Sequence, residues 1–325
     1  MVSPKLNPIP AQVLKDVKKV ETALDSVVQD CFPPLKEAVE ATIKAGGKRL
    51  RPALVLISGQ AGIYDLEILM PLALSVELIH TATLVHDDVL DKALTRRGIP
   101  SVNARWGTKM AIATGNLLLG RAFALLTIYE NQRIMKRMAE AALSLSVGEL
   151  MQQEQPHGGN LSVQSCLERI RNKTASLFSA STELGALVSG ATEEDVLALR
   201  DYGLNLGMAF QIYDDVLDLT ADEKRLGKPI GSDIRDGTTT LPLLYAMEEL
   251  NGQSELKNII KKESPTEEEV AKAVQLVLAS RAIERARDQA RAFVDKASQA
   301  IRGLCNAGLR KNLDSVGRFV VERKY

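Results

Sequence analysis

His86-Asp87-Asp88-Val89-Leu90-Asp91 closes an apolar run that begins at Leu78, and Tyr213-Asp214-Asp215-Val216-Leu217-Asp218 closes another that begins at Met208. Both strings read D-D-V-L-D. Such a run predicts a helix that places the first and last acid of each string one turn apart on one face. Six carboxylates gathered together repel, and one close pair at ~4 Å costs about 4 kcal/mol at an effective dielectric of 20. Hard divalent cations with oxygen ligands remove that cost, and Mg²⁺ leaves coordination positions for substrate phosphates. The competing reading is a pair of solvated acidic helix ends. A second copy with the same spacing, again behind an apolar run, favours a metal-bridged diphosphate site. Acids near a helix C-terminus also oppose the macrodipole, so each string calls for a cation nearby.

Helical periodicity runs through the rest of the chain. Val13, Leu14, Val17, Val20, Leu24 and Val27 fit one helix face. Ser264-Pro265-Thr266-Glu267 reads as a capping box with proline at the first helical position, and Thr192-Glu193-Glu194-Asp195 as a weaker one. Strand alternation is scarce and aromatics make up 4%. The expected fold is therefore an all-α bundle with a core of Leu, Ala, Val and Ile. No composition break marks a linker in the 325 residues, which predicts one domain over 1–325. The least regular segments are Pro156 to Asn160 and Glu223 to Thr240. The second holds Gly227, Pro229, Gly231 and Gly237 directly after the second acidic string, which makes it a candidate lid.

Lys plus Arg and Asp plus Glu each total 41, which argues against a general nucleic-acid binder. Cys31, Cys166 and Cys305 lack C-x-x-C spacing and point to a reducing compartment, with neither a disulfide framework nor zinc. Met1 to Pro10 has no apolar signal core. The longest apolar helix candidate, Leu117 to Tyr129, is short for a bilayer and contains Arg121. A cytoplasmic protein is expected, with apolar patches able to touch a membrane transiently.

The positive charge is placed locally. Gly46-Gly47-Lys48-Arg49-Leu50-Arg51-Pro52 stops one helix and starts another, so free N–H groups and three cations make an anion site there. Arg96-Arg97-Gly98 follows Asp91 by five residues and suits two phosphates at once. Ile170, Lys173, Thr174 and Leu177 share a helical stripe, and a lysine facing inward needs an anion or must snorkel out. The same spacing puts Gln211 on the face of Asp214, Asp215 and Asp218. His80 lies two turns before Asp87. No nucleophile elbow supports hydrolase chemistry.

Together these residues resemble the trans-isoprenyl diphosphate synthase family, which elongates prenyl chains head to tail. The signatures are G-G-K-R-L-R-P at 46–52, H-T-A-T-L-V-H-D-D-V-L-D at 80–91, R-R-G at 96–98, G-E-L-M-Q at 148–152, K-T at 173–174, G-M-A-F-Q-I-Y-D-D-V-L-D at 207–218, G-K at 227–228 and T-L-P at 240–242. The resemblance runs from about Ala38 to Tyr325 and is to the long-chain type, similar to the large subunits of bacterial heptaprenyl synthases. It implies the isoprenoid synthase fold, an antiparallel helical barrel around a central cavity, as a homodimer or with a small partner subunit. It further implies that Lys48, Arg51, His80 and Arg97 bind isopentenyl diphosphate. Asp87, Asp91 and Asp214 would hold three Mg²⁺ ions, with Asp88, Asp215 and Asp218 in support. Arg96, Lys173, Thr174, Gln211 and Lys228 would surround the allylic diphosphate.

Two positions depart from the family pattern. Thr238 follows Gly237 where the family often has lysine, and Gly115-Asn116-Leu117-Leu118-Leu119 has asparagine for aspartate. A terpene cyclase would lack the second acidic string and G-G-K-R-L-R-P, and a non-catalytic subunit would have lost aspartates. Ala82 and Thr83, five and four residues before Asp87, are small where short-chain members carry a bulky aromatic. The resemblance therefore implies a long product of C30 to C40.

Overall fold

The computed structural model describes residues 9–29, 31–154, 162–221, 229–250 and 254–323. Helix makes up 79% of the described residues, and the fold is all-α as expected. The helices are α1 (Ala11–Gln29), α2 (Pro33–Lys44), α3 (Leu50–Ser58), α4 (Leu66–Leu90), α5 (Val102–Trp106), α6 (Thr108–Leu126), α7 (Gln132–Gln153), α8 (Val163–Ile170), α9 (Ser176–Val188) and α10 (Glu193–Thr220). They continue as α11 (Ser232–Arg235), α12 (Leu241–Glu249), α13 (Ser254–Ile260), α14 (Glu267–Ala279), α15 (Ala282–Ala300) and α16 (Ala307–Glu322). A π-helical turn, Arg171–Ala175, joins α8 to α9. The two-residue strands β1 (Thr95–Arg96) and β2 (Ile99–Pro100) pair antiparallel.

The chain divides into two compact units. One comprises Met1–Ala142, Leu177–Gly203 and Ala300–Val316; the other comprises Leu143–Ser176, Leu204–Gln299 and Gly317–Tyr325. Composition carries no mark of this division.

In the first unit, α1 buries Val13, Val17, Val20 and Leu24, the face its periodicity predicts. Helix α4 packs on α3 and α6. Asp65 caps its start by accepting the Glu67 N–H at 2.9 Å. Pro71 interrupts its hydrogen-bond ladder. The Tyr129 hydroxyl repairs the ladder, donating to the Ile68 carbonyl at 2.6 Å and accepting the Leu72 N–H at 3.1 Å. The longest apolar helix is α4 rather than Leu117 to Tyr129. Both α4 and α6 are long and apolar enough to cross a membrane by length and composition, but 67% of the most apolar window of α4 is buried, as in a core helix.

In the second unit, α10 packs Met208, Ile212, Val216 and Leu217 into a core shared with α8, α12, α14 and α15. The capping box lies two residues further on than the sequence suggested. Thr266 is the N-cap and Glu269 its reciprocal partner, while Pro265 stays outside the helix. Both Ser264 and Thr266 have a glutamate three residues ahead, and the reciprocal pair that forms is Thr266 with Glu269. At the start of α10, Thr192 accepts the Asp195 N–H as expected.

Candidate active site

In the first unit the acidic string forms the last turn of α4. Asp87 is half-buried, Asp88 is buried, and Asp91 is the exposed C-cap. The cation that the macrodipole demands is Arg96, whose Nε donates to Asp88 Oδ1 at 2.8 Å. A hairpin turn aims it: Arg97 and Gly98 both have positive φ, at 53° and 79°, as in a type I′ connection. The turn also sends Arg97 back to the basic loop, where a Cβ on Gly47 would lie 3.1 Å from both of its Nη atoms. Thr42, Thr81, Asp88, Arg96 and Arg97 line one open pocket.

The basic loop ends as expected, with α2 stopping at Lys44 and α3 starting at Leu50. Its three cations are not equivalent. Arg49 is the left-handed N-cap of α3 (φ 47°) and is buried against Glu77, with a further donation to the Ile43 carbonyl at 3.2 Å. That corrects the expectation of three cations for one anion: Arg49 is neutralised inside the fold. Lys48 is exposed, and Arg51 stacks over Phe178 at 4.7 Å. Burial holds the His80 imidazole well below its usual range, and the charges of Arg51, Arg97, Arg96 and Arg49 hold it lower still. The predicted Arg51 and Arg97 thus lie within electrostatic reach of the predicted His80.

The acidic helix end is also set by a close approach. A Cβ on Gly115 of α6 would lie 2.1 Å from His86 Nε2, so glycine seats the imidazole that precedes Asp87. Ala82, on the inner side of α4, is fully buried, and Thr83 is half-buried with its hydroxyl donating to the His80 carbonyl at 2.8 Å.

In the second unit the acidic string lies in the last turns of α10. Here the compensating cation is Arg323, near the chain end, whose Nη2 donates to Asp214 Oδ1 at 2.7 Å. Asp215 is buried and accepts Gln211 Nε2 at 2.9 Å. Burial pushes its carboxyl up to about 7. Gln211 and the charge of Arg169 pull against that shift, and Asp214 and Asp218 push with it. Asp218 ties down the following segment: its carbonyl accepts the Gly231 N–H at 2.9 Å, and its carboxylate accepts the Asp233 N–H at 3.2 Å. Thr174 donates to Gln211 Oε1 at 2.8 Å, so the predicted Thr174, Gln211 and Asp215 form one hydrogen-bonded chain.

Lys173 sits in the π turn. Its ammonium pairs with Glu149 at 2.5 Å and donates to Gln152 Oε1 at 3.1 Å. The anion demanded by an inward lysine is thus a side chain of G-E-L-M-Q. Gly148 of that motif gives the turn room, since a Cβ there would lie 2.3 Å from the Lys173 backbone nitrogen. Lys228 and most of the first half of the predicted lid lie outside the described residues. Sequence reasoning missed Arg323, Arg169 and Glu149; the demand for a cation at each acidic helix end was the one signal that pointed toward Arg323.

Comparison with known proteins bears on all of this. The polyprenyl synthetase family model matches residues 32–277. Heptaprenyl diphosphate synthase component 2 of Bacillus subtilis (strain 168) is 34% identical over 310 residues, 95% of this chain and 88% of that protein. Geranylgeranyl diphosphate synthase of Sulfolobus acidocaldarius is 38% identical over 271 residues, 80% of this chain and 82% of that one. The crystal structure of polyprenyl synthase from Caulobacter crescentus CB15, complexed with calcium and isoprenyl diphosphate, matches with a TM-score of 0.91 at 34% identity, covering 98% of each chain. By sequence and by fold the chain belongs to the polyprenyl synthetase family and is a trans-prenyl diphosphate synthase.

Proposed function

We propose that the chain adds isopentenyl diphosphate head to tail onto an allylic diphosphate until the product reaches C30 to C40. The observation that carries the site assignment is that each acidic string holds an arginine on one of its aspartates, Arg96 on Asp88 and Arg323 on Asp214. Such pairing sets a fixed cation against a carboxylate of each string. Support for the length is the small size of Ala82 and Thr83 on α4; relatives of similar identity make heptaprenyl and geranylgeranyl products by name.

The donor set fits Mg²⁺. Asp87, Asp91 and Asp214 offer hard oxygen ligands, and none of the three is fully buried. Among the described residues no three His, Cys, Asp or Glu side chains form a ready-made cage. Mg²⁺ is usually held by one or two carboxylates and keeps waters and phosphate oxygens in its remaining positions. We assign three ions with substrate to Asp87, Asp91 and Asp214, supported by Asp88, Asp215 and Asp218. Bound there, Mg²⁺ supplies Lewis-acid stabilisation of the departing diphosphate. Arg96, Lys173, Thr174, Gln211 and Lys228 bind the allylic diphosphate, Lys173 exchanging Glu149 for a phosphate oxygen. Lys48, Arg51, His80 and Arg97 orient isopentenyl diphosphate. The allylic C–O bond breaks with its electrons leaving on diphosphate. The isopentenyl double bond attacks the cation, and the proton lost in restoring an alkene goes to the departing diphosphate. Fixed cations carry this chemistry.

Leu143, Val147 and Leu150 stand exposed at one-turn spacings on α7, which supports a covered face. We read the assembly as a homodimer; the name "component 2" of the B. subtilis relative keeps a small partner subunit as the second reading. The test is to incubate the purified chain with Mg²⁺, an allylic diphosphate and isopentenyl diphosphate, and to size the products by chromatography. Condensation is expected, with losses of orders of magnitude in Asp87→Ala and Asp214→Ala. Near-normal turnover in either variant overturns the site; inactivity of the chain alone favours the partner-dependent reading.

A further inference from the structure

The turn that starts α3 is built on an arginine in a conformation suited to glycine. Gly46 takes a positive φ of 74°, and Arg49 takes one as well, at 47°. A residue with a Cβ adopts that region reluctantly, so something must hold it there. The hold comes from the Arg49 guanidinium itself, which is 7% exposed. Its Nη1 donates to Glu77 Oε1 at 2.5 Å, its Nη2 to the Ile43 carbonyl at 3.2 Å, and its Nε to Glu21 Oε1 at 3.4 Å. One side chain thereby ties the N-cap of α3 to α1, to the last turn of α2 and to α4. The planar five-donor fork of arginine permits this, whereas a lysine has one nitrogen for the same task. Glu77 is buried, and it stands three residues before His80 on α4, so the two share a helix face.

The residues predicted for isopentenyl diphosphate surround this tie. Lys48 precedes Arg49 and is exposed, and Arg51 follows it and stacks over Phe178. Arg97 lies against Gly47. We propose that Arg49 and Glu77 are a positioning pair for isopentenyl diphosphate: their buried ion pair locks the left-handed turn from inside, so that Lys48, Arg51 and Arg97 are already in place when the diphosphate arrives. This rests on the reading given under Proposed function. Neither member of the pair touches substrate.

Replacing both partners of a buried ion pair by apolar side chains of similar volume is often neutral for stability, which separates positioning from folding. The test therefore compares wild type with the double variant Arg49→Met, Glu77→Met. The first readout is calorimetric binding of isopentenyl diphosphate without Mg²⁺, so that the acidic strings take no part; the second is the KM of each substrate. The double variant is expected to melt near wild type, to bind isopentenyl diphosphate about tenfold more weakly and to raise its KM alike, with little change in the allylic KM. Wild-type binding in the folded double variant overturns the inference, as does an equal rise in both KM values. Should the double variant not fold, Arg49→Gly and Arg49→Lys decide. Glycine keeps the left-handed turn without the tie, and lysine keeps a charge on Glu77. Tighter binding by the lysine variant supports the pair, and equal binding by the two overturns it. If wild type binds isopentenyl diphosphate but condenses nothing, the proposed function fails while the binding comparison still judges Arg49 and Glu77. If wild type binds none, the site itself is removed and the pair's role with it.

Discussion

Arg323 donates to Asp214 at 2.7 Å while remaining 3% exposed, its guanidinium 4.2 Å above the Phe210 ring. A buried cation is thus spent on a carboxylate that faces solvent. Removing one partner of a pair is costly where the other charge stays buried, but the Asp214 side chain is 39% exposed and can be hydrated once the arginine is gone. Arg323→Met is therefore expected to leave the melting temperature near wild type and to lower kcat by about 10- to 100-fold. A large loss of stability with normal turnover would assign Arg323 to folding alone.

His80 gives a pH dependence with a definite sign. Burial and four arginines lower its pKa in the folded chain, so below about 6.5 the unfolded chain binds more protons. The corresponding stability is present above that pH and is lost as pH falls toward the folded value. Thermal unfolding of the ligand-free protein should show this loss, and His80→Gln should flatten it. Inorganic diphosphate held by the neighbouring arginines should reduce it too. An unchanged acid slope in His80→Gln would remove the imidazole from the anion site.

Gly115 and His86 make a paired prediction. Gly115→Ala puts a methyl group where the imidazole lies, and overpacking of that kind costs about 1–3 kcal/mol. The variant should lose both stability and activity. His86→Ala in the same background should recover much of the stability, because the two sites share one space. Additive losses in a double-mutant cycle would show that the close approach is not what constrains the helix end.

Ala82 tests the product-length proposal. It has no exposed surface, so phenylalanine there needs room that a chain tunnel would provide. If the tunnel passes Ala82, Ala82→Phe keeps its stability and shortens the product to C15 or C20. If the site is packed, unfolding measurements will register a loss of about 1–3 kcal/mol or more and product length will not change.

Features fixed by local chemistry were legible in the sequence. The stop at Lys44, the restart at Leu50 and the register of Gln211 with Asp215 follow from glycine, proline and a 3.6-residue period. The counter-ions were not, because Arg323 and Asp214 lie 109 positions apart and Arg169 and Thr239 lie 70 apart. Helical spacing also assumed a regular helix through Lys173, where five residues take a π turn. The basic loop was misread in one member, since nothing local distinguishes the inward Arg49 from Lys48 and Arg51.

The π turn has a consequence for lineage. It holds one more residue than an α-helical turn, so everything beyond it is rotated by about 100° relative to an uninterrupted helix. A single-residue insertion or deletion between Arg171 and Ala175 is the most direct way to gain or lose that offset. A related chain shorter by that one residue would turn a different side chain toward Glu149, and its counterpart of Gly148 would be released to carry a side chain of its own.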